Sequence, residues 1–118
     1  MVMMSASINS IGLSGMQAAS LRMATSAHNV ANMNTQGFKP KHVVDEPTPQ
    51  GGVKSKAAEP PAPRQSDIKN KTRTLPSETL VRPSMEMIQQ MLALQAFKAS
   101  AAVVKAGLEQ DAVLDLLV

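Results

Sequence analysis

All eight prolines of this 118-residue chain lie between Pro40 and Pro83. A proline inside a helix removes a hydrogen bond and clashes with the preceding turn, so long regular structure is confined to the two ends. The chain therefore divides into residues 1–38, residues 39–83 and residues 84–118. At this length there is room for one small domain at most. Its core is expected to be thin, because the hydrophobic share of 43% includes nine Met and many Ala, and the aromatic residues are Phe38 and Phe97 alone.

No proline interrupts residues 7–32, where Leu13, Met16, Ser20, Met23, Ala27 and Val30 recur at alternating steps of three and four. That spacing keeps one stripe of a helix facing a partner as the pair supercoils. Gly12, Gly15 and Ala19 run beside the stripe. Each glycine weakens an isolated helix by up to about 1 kcal/mol relative to Ala, yet lets a neighbouring backbone come close. Such a helix depends on packing. Its stop is marked by Asn32, Asn34 and Gly37, which tolerate turn or left-handed conformations, and Pro40 prevents resumption.

The second helix is expected to start near Ser84, acting as an N-cap with Glu86 in the first turn, and to run to about Leu116. Ile88, Leu92, Ala96, Ala99, Val103, Ala106, Gln110, Val113 and Leu117 share one face. Met87, Leu94, Phe97, Ala101, Val104 and Leu108 form a second, edged by Lys98 and Lys105. One partner helix cannot cover both faces, and a helix apolar nearly all round must be buried. The surplus face therefore points to other subunits. The candidate assembly residues are Leu13, Met16, Met23 and Val30 on the first helix, with Ile88, Leu92, Leu94, Phe97, Ala99, Val103 and Leu108 on the second.

Between the helices, residues 41–45 and 52–56 read as short strands joined by Pro47-Thr48-Pro49-Gln50-Gly51, a hairpin that would be marginal alone. Residues 57–73 are Pro-rich and charged, with Ile68 as the one large aliphatic side chain. They read as a solvated or induced-fit segment. The expected fold is mainly α: long N- and C-terminal helices packing as a coiled-coil-like pair, with a short β-hairpin and a Pro-rich irregular middle.

Catalytic chemistry finds little support. There is no Cys, so a disulfide framework, a thiol nucleophile and a cysteine-ligated zinc are excluded. His28 is expected at a helix interface and His42 at the surface, with no carboxylate cluster or second ligand at metal spacing. Asp45 and Glu46 fall in a loop beside Pro47 without a partner. Gly51-Gly52 leads into a strand, whereas a phosphate cradle leads into a helix. No cofactor is expected, and neither is enzymatic activity.

The net charge of +3 is too small to imply a nucleic-acid partner. Its distribution is more informative: residues 1–38 carry only Arg22, residues 39–83 carry nine basic and five acidic groups, and residues 84–118 carry two basic and four acidic. The basic run Lys69-Asn70-Lys71-Thr72-Arg73 has no interleaved aromatic residue for base stacking, so it reads as a solvated face. No uninterrupted apolar run reaches about 18–20 residues, and the start lacks a signal-peptide pattern. Neither membrane insertion nor a cleaved signal is expected.

Ser14-Gly15-Met16-Gln17-Ala18, followed by Ala27-His28-Asn29-Val30-Ala31-Asn32-Met33-Asn34-Thr35-Gln36-Gly37-Phe38-Lys39, resembles the start of the bacterial flagellar basal-body rod and hook family. Lys41-His42-Val43-Val44 and Gly51-Gly52-Val53-Lys54 look like the short insert of the proximal rod proteins. Met85-Glu86-Met87-Ile88 and Gln95-Ala96-Phe97-Lys98-Ala99-Ser100 resemble the family's C-terminal signature, with Phe97 where Tyr is usual and Ala99-Ser100 near the usual Ala-Asn. The resemblance implies a non-enzymatic structural subunit, exported from the cytoplasm through the flagellar type III apparatus. Its terminal helices would stack with copies of itself and with other axial subunits in the periplasmic rod. Asn29, Asn32, Asn34, Thr35, Gly37 and Phe38 form the motif turn, where Asn side chains can bind backbone groups and Gly37 can take a positive φ. The competing class is a soluble helical adaptor or secretion chaperone that binds a client through one apolar helix face.

Overall fold

The computed structural model describes residues 2–59 and 81–117, with side chains described from Ile8 onward. Helix α1 spans Val2–Ala31, strand β1 His42–Pro47, strand β2 Val53–Ala58 and helix α2 Pro83–Leu117. The described chain is mainly helical, with one small antiparallel hairpin. The basic run at residues 69–73 and most of the Pro-rich stretch lie outside the described residues.

Both helices begin earlier than their sequence signals. Helix α1 extends five residues beyond the expected start, through a Met/Ser/Ala stretch that contains no breaker. In α2 the first helical residue is Pro83, with the Glu86 amide donating to the Arg82 carbonyl at 3.0 Å. Ser84 therefore sits inside the first turn and does not cap it. Proline suits the first helical position because its fixed φ is pre-organised and its missing N–H would have had no intrahelical partner.

Helix α1 ends as its residues dictate. Asn32 donates to the His28 carbonyl at 2.9 Å, and Gly37 adopts a φ of 76° with nothing within 4 Å of where a Cβ would stand. The backbone conformation there, not crowding, calls for glycine. The strands lie one to two residues later than the sequence suggested. Their register runs from His42↔Ala58 to Pro47↔Val53, closed by a turn in which Gly51 and Gly52 both have positive φ. Pro47 is tolerated because it ends β1 in a two-stranded sheet.

The two helices pack antiparallel. A Cβ on Gly12 would meet Val104, one on Gly15 would meet Ser100, and one on Gly107 would meet Asn9, while Ser26 bonds to Glu86 and Gln90. The hairpin docks on an adjoining face of α1, where Ile11 lies against Gly51 and Ser14 Oγ accepts from the Val53 amide at 3.3 Å. On the described helices the buried apolar side chains are Ala18, Ala19 and Ala93. Each buries a single methyl, and hydrophobic stabilisation scales with area at about 25 cal/mol per Å². The contact between the helices is close but carries little hydrophobic free energy.

Candidate assembly interface

The inner faces of the two helices are made of small and polar residues. On α2, Glu86, Gln90, Ala93, Phe97, Ser100, Val104, Gly107, Asp111 and Leu114 alternate in steps of four and three, and every one is buried or half-buried. On α1, Gly12, Ala19 and Ser26 recur every seven residues and are all buried; Ala93, Ser100 and Gly107 repeat that spacing on α2. Small side chains at heptad spacing bring two helix backbones together while leaving the larger aliphatic residues on other faces.

Those larger residues lie outside. Leu13, Ile88, Leu92, Leu94, Val103 and Leu108 are between 44% and 59% exposed, and Ala99 is exposed with them. Met16, Met23 and Val30 are half-buried, as is Phe97, which belongs to the inner seam. Met87 and Met91 extend the exposed row. The stripe that contains Ile88 and Leu92 is thus not the one covered by α1. Large apolar side chains dominate a heptad pattern numerically, but here the glycine and alanine row decides which faces meet.

Although no uninterrupted apolar run reaches 18 residues, α2 is long and apolar enough on average to cross a membrane by length and composition. Only 11% of that stretch is buried. A core helix of a soluble domain would be mostly covered, whereas among the described residues nothing covers this helix face.

The junction where α1 ends and α2 begins is polar and specifically bonded. Asn29 is buried; its Nδ2 donates to the Lys41 carbonyl at 2.8 Å and its Oδ1 accepts from the Lys41 amide at 2.9 Å. The same Nδ2 lies 3.4 Å from Glu86 Oε1. Ser26 Oγ donates to the Glu86 carbonyl at 3.0 Å and accepts from Gln90 Nε2 at 3.2 Å. Glu86 is itself buried, and its Oε2 has no hydrogen-bond partner among the described residues. These contacts tie the turn, the hairpin and α2 to one point on α1. The roles of Ser26, Glu86 and Gln90 were not readable from spacing, because each partner lies about 60 residues away.

Within the motif turn, Thr35 Oγ1 donates to Asn32 Oδ1 at 3.4 Å, and Phe38 packs edge-on against His28 with ring centroids 5.6 Å apart. His28 is exposed, contrary to its expected place between helices: α2 runs along the opposite flank, so its ring meets Phe38 instead. His42 is exposed as well. Asp45 and Glu46 are not unpartnered loop residues. Both lie in β1, where Asp45 pairs with Arg22 and accepts from Ser55 Oγ, while Glu46 meets Lys56 at 3.2 Å. Docking of the hairpin on α1 creates the first of these pairs.

A cleft of about 300 Å³ opens between α1, α2 and β1, lined by Arg22, Thr25, Lys41, His42, Val43, Gln89, Leu92 and Ala93. Among the described residues no group of three or more His, Asp or Glu side chains is placed to hold a metal ion.

A comparison with curated proteins gave no match. Residues 10–39, which hold the glycine row of α1, Asn29 and the turn through Phe38, match the family model described as flagella basal body rod protein. Over that segment the chain is similar to the flagellar basal-body rod family.

Proposed function

We propose that the chain is an axial subunit of the flagellar rod, of the proximal type, which assembles through its terminal helices into the drive-shaft tube after type III export without a cleaved signal. Its partners in this reading are further copies, other axial subunits and the export apparatus, with no nucleic acid and no membrane insertion. The observation that carries the proposal is the division of labour on α2. Small and polar residues meet α1, while Ile88, Met91, Leu92, Val103 and Leu108 stay open to solvent. Apolar area left uncovered on a helix already paired on one side is the expected signature of a surface completed by neighbours.

The deciding experiment is deletion of the gene in its own bacterium, with imaging of basal bodies and complementation by the intact chain. The expected result is loss of motility with rods absent or truncated, restored by complementation. Intact rods in the deletion strain overturn the proposal. So does recovery of the chain in an integral-membrane fraction, or in a stoichiometric complex with an unassembled client, as the adaptor class requires.

A further inference from the structure

The described molecule is elongated, with principal extents of 69 × 28 × 18 Å, and its two ends differ in charge. Near where α1 ends and α2 begins, Lys39 and Arg82 lie in the chain just before β1 and α2, and the cleft between the helices and β1 opens there. Its walls combine Arg22, Lys41 and His42 with the apolar surfaces of Val43, Leu92 and Ala93. Arg22 is paired with Asp45, yet its side chain remains 44% exposed; Lys41 is anchored by its backbone to Asn29, and its ammonium forms no ion pair among the described residues.

The opposite end is acidic and greasy. Glu109, Asp111 and Asp115 occupy the last part of α2, and no basic residue stands in its last turn. The nearby cation, Lys105, reaches Glu109 only at 4.0 Å. Acidic side chains at a helix C-terminus sit against the negative end of the helix dipole, an arrangement that a cation from elsewhere would relieve. Leu116 and Leu117 are 87% and 78% exposed, the highest values among the large apolar side chains described.

We infer that the last turn of α2 from one copy seats in the basic cleft of the next, with Asp115 facing Lys41 and Arg22 and Leu116 covering Val43 and Leu92. This rests on the assembly reading above and names the contact within it. The cleft volume suits one or two side chains, below what most cofactors fill. The surfaces joined are different on the two copies, so the contact is head-to-tail and propagates along an axis without closing into a two-fold dimer. It cannot form within one molecule, since Leu92 and Leu116 are separated by about 36 Å of helix.

The chain contains no cysteine, so introduced thiols report cleanly. The test is oxidation of the full-length His42→Cys/Leu116→Cys variant at high protein concentration, with sedimentation velocity run in parallel. A ladder of disulfide-linked dimers, trimers and longer species is expected. It should fall at least tenfold when Lys41→Glu is added, and return when Asp115→Lys is added to that variant. Sedimenting assemblies without a ladder overturn the cleft contact and leave the assembly reading standing. A dimer band alone overturns head-to-tail propagation. Absence of any association in the unmodified chain, under conditions where the intact gene supports motility, overturns self-association of this kind while leaving the rod role intact.

Discussion

Asn29 holds Lys41 by both sides of its peptide backbone, donating to its carbonyl at 2.8 Å and accepting from its amide at 2.9 Å. One amide side chain on the last turns of α1 thereby replaces two rungs of a β-ladder and fixes where β1 begins. The turn from residue 32 to residue 40 is returned to the same point on the helix that Ser26 and Glu86 use to seat α2.

Asn29→Ala leaves both Lys41 groups without that partner, which costs about 1–3 kcal/mol for partly buried polar atoms. Asn29→Asp is the sharper variant. It keeps the acceptor but turns a carboxylate oxygen toward the Lys41 carbonyl and toward Glu86 Oε1. We expect both variants to lower the thermal midpoint of the full chain, with Asp at least as damaging as Ala, followed by circular dichroism at 222 nm. An unchanged midpoint in both would mean that the clasp is dispensable.

The glycine row makes a second prediction. Gly12→Ala gains helix propensity of about 1 kcal/mol, but the new Cβ would stand 2.6 Å from Val104 Cγ2 and 3.3 Å from the Ser100 carbonyl. Backbone cannot swing aside, so the helices must separate, and the net effect is destabilising by about 1–2 kcal/mol. Gly15→Ala meets the Ser100 hydroxyl, which can rotate, and is expected to be near neutral. Adding Val104→Ala should restore part of the Gly12→Ala loss. Denaturant titration of the single and double variants measures each step.

The sequence made the elements legible and the pairing of their faces only partly so. Proline placement bounded both helices, and Asn32, Gly37 and Pro40 marked the end of α1 because each acts locally. The hairpin was readable for the same reason. Which flank of α2 meets α1 was harder, since Ile88, Leu92 and Val103 make a better apolar stripe than Ala93, Ser100 and Gly107 do. The small residues nonetheless left a trace: Gly12, Ala19 and Ser26 repeat every seven positions, as do their counterparts on α2. Gly12, Gly15 and Ala19 carry in their lack of bulk the signal for close approach. The partners of Asp45 had no such trace, because Arg22 reaches it only after the hairpin folds back on α1.

The thin core leads to a third prediction. With Ala18, Ala19 and Ala93 as the buried apolar side chains of its described part, the helix pair lacks the area that usually stabilises a domain of this size. We expect dilute chain to be incompletely helical and to gain helix as concentration rises, because assembly shifts folding by mass action. Circular dichroism from low to high micromolar concentration gives the measurement. A cooperative, fully helical melt that is independent of concentration would refute it.

Charge placed on the outer face separates assembly from folding. Ala99 is exposed, so Ala99→Asp should change monomer stability by no more than about 0.5 kcal/mol. Buried against a neighbour, the same carboxylate would be desolvated without a partner, a far larger penalty. Met23 is half-buried, so Met23→Asp is expected to act in both ways. We predict that Ala99→Asp is secreted at the normal level yet fails to enter rods, and that Met23→Asp fails likewise with a lower melting temperature. Secretion is measured in culture supernatant from a strain blocked in rod assembly, and incorporation by immunoblot of purified basal bodies. Normal incorporation of Ala99→Asp would place that face toward solvent in the finished rod, and the surface completed by neighbours would then have to be sought on the flank that carries Met87, Leu94 and Leu108.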